Sequence, residues 1–174
     1  MISTPKITLL SMLTALAVIL SVVESLYINV GIPGVRLGLA NILILLTLYE
    51  LGPKEALEVN IFRILISNIF TGSIFGMGFL MSLMGAIFSF IAMMIFYLFL
   101  KKFSIIGVSV IGSLFHLFGQ ILVAMLYVES VFGVLNYFAI IGISGVVTGI
   151  IVGIVVQLIQ KTKVIEKYKK RYKL

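Results

Sequence analysis

The chain of 174 residues contains no cysteine and no aspartate, and only 11% of its residues are charged. Without cysteine there is no disulfide and no thiolate metal site. Without aspartate there is no acidic cluster of the kind that holds magnesium on a diphosphate. The single histidine, His116, has no second histidine or nearby carboxylate to complete a metal-ligand set. No G-x-x-x-x-G-K-[ST] loop is present to cradle nucleotide phosphates, and no serine has a credible general base. The chain therefore reads as a non-enzyme, with no metal and no cofactor of its own.

The scarcity of charge has a second consequence. A soluble domain is about one quarter charged residues, whereas here 61% of residues are hydrophobic and the mean hydropathy is +1.27. Such a chain cannot cover its surface with polar groups in water, and it reads as an all-α, multi-pass membrane protein. Its net charge of +7 does not suggest nucleic acid, because seven of the 13 basic residues lie between Lys161 and Lys173. A basic tail after a hydrophobic helix marks a cytoplasmic segment facing membrane lipids, anionic ones above all. No small-residue cleavage site follows the first apolar stretch, so a cleaved signal peptide is not expected.

Six spans are expected, since crossing the hydrocarbon takes about 20 apolar residues. They run over 7–27, 35–51, 55–71, 79–100, 105–128 and 135–160. The second is short: Leu37 to Tyr49 is uncharged, bounded by Pro33/Gly34 before and Gly52/Pro53 after. The turn between the third and fourth is set by "TGSIFGMG", Thr71–Gly78, within 37 uncharged residues from Ile64 to Leu100. Residues 1–160 thus form one six-helix domain and 161–174 a basic tail. Lys6, Lys54, Lys101, Lys102 and the tail fall on one side and Arg36 on the other, which puts both termini in the cytoplasm.

Polar residues at membrane depth are costly and therefore informative. Arg63 lies eight residues beyond Glu55, about 12 Å into its helix, with Asn60 and Ser67 on the same face. Glu58 falls on another face. Arg63 needs an interhelical ion pair with Glu24 or Glu58, a watery cavity, or an anionic ligand. Gly112, His116 and Gln120 form a polar stripe on the fifth span, with Ser109 and Ser113 nearby. Gly145, Gly149 and Gly153 recur every four residues on the sixth, a device for close helix packing. On the first span, Ser11 with Ala15 and Ala17 with Ser21 make either an internal seam or a docking surface.

Four stretches carry a resemblance: "ESLYINVGIPGVRLGLANILILLTLYELGPKEAL", "FRILISNIFTGSIFG", "FLMSLMGAIFSF" and "IGVSVIGSLFHLFGQILVA". They closely resemble the bacterial Gx transporter family, whose older name is heptaprenyl diphosphate synthase component I, from about Ala15 to Leu126. That family in turn resembles the substrate-binding S-components of energy-coupling-factor (ECF) vitamin transporters. The resemblance implies a six-helix S-component-like bundle with a short second helix that binds a small solute within the membrane. An ECF-type coupling subunit and its ATPases are the implied partners. S-components dock through an A-x-x-x-A pattern on the first helix, and this chain departs from it: Ile19 follows Ala15, and Ser21 follows Ala17.

The expected site lies in the outer half, between the first, second, third and fifth spans. Arg36 and Arg63 would neutralise an anionic solute, with Arg36 adding its charge to the amino end of the short helix. Glu24, Asn41, Asn68, His116 and Gln120 would hydrogen-bond the solute, which is vitamin-like, flavin-related, or related to isoprenoids and quinones. The alternative is a non-catalytic scaffold or accessory subunit of an isoprenoid, quinone-biosynthetic or electron-transfer assembly.

Overall fold

The computed structural model describes residues 4–27, 38–72, 74, 76–100, 103–127 and 131–173. Seven helices form among them: α1 (Thr4–Tyr27), α2 (Leu39–Glu50), α3 (Pro53–Phe70), α4 (Met77–Phe99), α5 (Ile105–Tyr127), α6 (Val131–Lys161) and α7 (Val164–Tyr172). Glycine and proline set several of the boundaries. Gly38, with φ 73°, starts α2 from a left-handed residue, and Gly52 at φ 112° turns the chain into α3, where Pro53 opens the helix. Gly72 at φ 65° follows the end of α3. Each of these conformations is strained for a residue with a Cβ.

Four helices are long and apolar enough to cross a membrane: α1, α4, α5 and the Gly142–Lys161 part of α6. The other two expected spans are of a different kind. At 12 residues α2 measures about 18 Å, well short of the roughly 30 Å hydrocarbon layer. The 18 residues of α3 reach about 27 Å but carry Lys54, Glu55, Glu58 and Arg63. The tail also differs from expectation. Residues 161–174 are not simply a basic extension, because α6 runs to Lys161 and Val164–Tyr172 fold as a separate helix. Lys163, at φ 55°, makes the break between them.

The helices close into a ring. α1 packs on α2 and α3, α3 on α4, α4 on α5, α5 on α6, and α6 returns to α2. α2 sits among α1, α3 and α6 with Leu43, Ile44, Leu45, Leu46 and Leu48 all buried. A helix apolar all round is a core helix, which explains the uncharged stretch between Leu37 and Tyr49. Lipid is as apolar as leucine, so such helices associate through close packing and hydrogen bonds rather than by escaping solvent.

The packing of α4, α5 and α6 shows that closeness directly. A Cβ on Gly149 would lie 2.7 Å from Val110 Cα, and one on Gly153 would lie 2.6 Å from Ile106 Cα. The four-residue glycine repeat is therefore the α5–α6 seam. Across α4 and α5, a Cβ on Gly119 would meet the Met84 carbonyl oxygen at 2.5 Å. On the α1 side, Lys6 and Glu55 pair at 2.5 Å and tie the first turns of α1 and α3 together.

Candidate functional site

The amino end of α2 is built around a carboxylate. Glu24, near the end of α1, is 5% exposed, and its two oxygens accept from the amides of Gly38 (2.7 Å) and Leu39 (3.1 Å). These are donors that a helix start leaves without an intrahelical acceptor, and the positive end of the helix dipole favours an anion there. Glu24 thus caps α2. One turn on, the Asn41 amide donates to the Gly38 carbonyl at 2.9 Å, and the Asn41 side chain lies against Gly38.

Behind this end of α2 is a small polar cavity of about 20 Å³. Gly38 and Asn41 line it from α2, Ser113, His116 and Gln120 from α5, and Ser144, Gly145 and Thr148 from α6. Gln120 Nε2 lies 3.3 Å from His116 Nε2, a contact in which the amide donates when the imidazole proton is on Nδ1. The volume accommodates about one water molecule. What the cavity offers is several hydrogen-bond donors and acceptors at the amino end of a helix, with Leu117 as the apolar part of its wall.

Three of the expected site residues, Asn41, His116 and Gln120, therefore converge, and Glu24 adjoins them through Gly38. These residues meet between α2, α5 and α6, whereas the sequence pointed to a place between α1, α2, α3 and α5. Ser144 and Thr148 are additions that the sequence reading missed. Their four-residue spacing on α6, offset by one from the glycine repeat, is the signal that could have found them. Arg36 lies outside the described residues.

Arg63 and Asn68 are placed elsewhere. Both are 4% exposed on α3. Arg63 Nη2 donates to Asn60 Oδ1 at 2.8 Å, and Asn60 Nδ2 reaches the Ala86 carbonyl of α4 at 3.4 Å. Asn68 Nδ2 donates to the Ile64 carbonyl of its own helix at 2.7 Å. One turn of α4 connects the two polar regions, because Gly85, next to Ala86, packs against His116. Arg63→Ala removes the donor on a buried Asn60 oxygen and is expected to destabilise the protein by about 1–3 kcal/mol. Thermal unfolding in detergent checks this, and Asn60→Leu in the Arg63→Ala background should recover part of the loss.

Of the four small residues on α1, Ala17 (0% exposed) and Ser21 (4%) are buried within the bundle, so they form an internal seam and are not available to a partner. Ser11 and Ala15 are at the surface. They line an apolar groove of about 610 Å³ between α1 and α3, whose wall also holds Glu58 and Phe62. Glu58 does face away from the Arg63 side of α3, as helical rotation predicts.

A profile of the family described as heptaprenyl diphosphate synthase component I matches residues 13–159. The chain belongs to that family, also called Gx transporter. The match runs from the first buried turns of α1 to the last turn of α6, so it takes in every helix that lines the polar cavity. No match was found among curated proteins or among solved structures. Membership and the apolar helices together make this Gx transporter family member a membrane protein.

Proposed function

We propose that this chain is the solute-binding subunit of a transport system in the bacterial cytoplasmic membrane. It crosses six times, with α2 and α3 as the two atypical spans, and keeps both termini inside. The observation that carries the reading is the convergence of Asn41, His116, Gln120, Ser144 and Thr148 at the amino end of a short buried helix. Short helices at membrane depth occur where they line a cavity, with their ends directed at a bound solute.

The lysine-rich ends of the helices, together with α7, form the cytoplasmic side under the positive-inside rule. Asn41, nine residues before Glu50, then lies about 14 Å above that side. The site takes a small vitamin-like, flavin-related or isoprenoid- or quinone-related molecule. The chain performs no catalysis. It relies for energy on an ion gradient or on an ECF-type coupling subunit with ATPases, and membrane lipids surround it.

Native mass spectrometry of protein released gently from its own membranes tests the reading. A retained molecule of a few hundred daltons is expected in the natural sequence, and its loss is expected in Asn41→Leu and Gln120→Leu variants that unfold normally. Absence of any adduct, together with no thermal shift on adding riboflavin or a menaquinone, would leave the alternative standing. That alternative is a scaffold for an isoprenoid, quinone-biosynthetic or electron-transfer assembly. Two observations favour it: the cavity has room for about one water, and both Glu24 oxygens are engaged by α2.

A further inference from the structure

α2 is gripped at both ends by charged side chains from distant parts of the chain. At its amino end the Glu24 carboxylate takes the Gly38 and Leu39 amides. At its carboxyl end Lys169 Nζ donates to the Glu50 carbonyl at 2.6 Å, and Gln160 Nε2 donates to Glu50 Oε1 at 3.0 Å. The signs match the helix dipole, an anion at the start and a cation at the end.

Lys169 is held in place by the rest of α7. Ile165 is 8% exposed and belongs to the same buried cluster as Leu45 and Leu46 of α2. Tyr168 Oη donates to the Pro5 carbonyl at 3.1 Å, which ties α7 to the first turn of α1. The neighbouring bases Lys167, Lys170 and Lys173 are exposed. α7 thus commits Lys169, an aliphatic side chain and an aromatic one to the underside of the bundle.

We propose that α7 is a cytoplasmic clasp that fixes α2 along its axis and so keeps the polar cavity narrow. α2 is one helix of 12 residues, with Gly38 and Asn41 in the cavity wall at one end and Glu50 under α7 at the other. Packed cores shift between discrete arrangements rather than deform continuously, so a displacement at Glu50 is delivered at Asn41. With α7 docked, the cavity holds about one water; with α7 released, α2 moves and the cavity opens. That the cavity is a solute site rests on the reading above, whereas the mechanical link needs no solute to be detected.

The absence of cysteine makes the test direct, using the full chain in membranes with one introduced thiol at a time and a maleimide reagent. Ser144→Cys reports the cavity wall, Ile165→Cys reports α7 docking, and Val108→Cys, at a position 0% exposed on α5, reports the integrity of the bundle. In a Lys169→Ala/Tyr168→Phe background we expect Ile165→Cys to become reactive and Ser144→Cys to label about 10-fold faster, with Val108→Cys still protected. Lys167→Ala, which changes only an exposed base, should alter none of the three rates. An unchanged Ser144→Cys rate alongside a reactive Ile165→Cys overturns the proposal, as does exposure of Val108→Cys together with Ser144→Cys. Continued protection of Ile165→Cys overturns it too, because the contacts to Glu50 and Pro5 would then not be what holds α7. Failure of riboflavin or menaquinone to bind would leave these rates untouched, so the two readings fail separately.

Discussion

Glu24→Ala is expected to destabilise the folded protein by about 2–4 kcal/mol, measured as loss of unfolding free energy in detergent or bicelles. The substitution removes an ionised acceptor from two backbone amides, Gly38 and Leu39. Hydrogen bonds to charged groups contribute about 1.5–3 kcal/mol each. Both amides lie on half-buried residues, so water or a headgroup recovers part of the loss, which keeps the expected value below the simple sum. Glu24→Gln retains one carbonyl oxygen but loses the charge facing the helix dipole, so it should fall about midway. Glu24→Asp, one methylene shorter, should behave more like alanine than like glutamine. Equal stability of all four proteins would show that the carboxylate does not hold α2.

The second large effect is expected where α4 and α5 cross. Gly119→Ala places a methyl 2.5 Å from the Met84 carbonyl oxygen, 2.8 Å from Met84 C and 2.9 Å from Gly85 Cα. All three are backbone atoms, which cannot move aside by changing rotamer. The helices must separate, and overpacking of this kind costs about 1–3 kcal/mol, occasionally more. Gly119→Leu should fail to accumulate in the membrane. Gly78 provides the contrast on the same pair of helices, because a Cβ there meets nothing within 4 Å. Gly78→Ala should be neutral or stabilise the protein by up to about 1 kcal/mol, since alanine loses less backbone freedom in a helix. Thermal unfolding of the two alanine variants side by side gives the comparison, and similar midpoints would contradict the tight crossing.

The limits of the helices were legible because charge, glycine and proline mark them. Lys101/Lys102 separate α4 from α5, Gly52/Pro53 separates α2 from α3, and the uncharged run to Tyr49 announces a buried helix. The α5–α6 seam was legible from Gly145, Gly149 and Gly153, and the stripe of His116 and Gln120 did mark a polar face. What sequence spacing does not encode is which helix that face meets. Periodicity fixes the angle of a side chain around its own axis and leaves the neighbour open. Hence the cavity was expected between α1, α2, α3 and α5 but lies between α2, α5 and α6. Glu24 could not be assigned to the Gly38 and Leu39 amides, because the 14-residue separation becomes a contact only after α1 and α2 pack. The folding of α7 was hidden for a related reason. Its composition is that of a solvated basic tail, and it is Ile165, Tyr168 and Lys169 that reach the bundle.

The glycine crossings divide the molecule into parts of unequal stiffness. Where α4, α5 and α6 meet backbone to backbone, sliding one past another brings main-chain atoms into collision, so this trio behaves as a fixed frame. α1, α2 and α3 contain no glycine and meet their neighbours through side chains, among them Leu13, Leu43, Ile44 and Leu48, which can exchange rotamers as a helix shifts. A movement that opened the cavity would therefore carry the first three helices over this frame, and the cavity lies between the two parts.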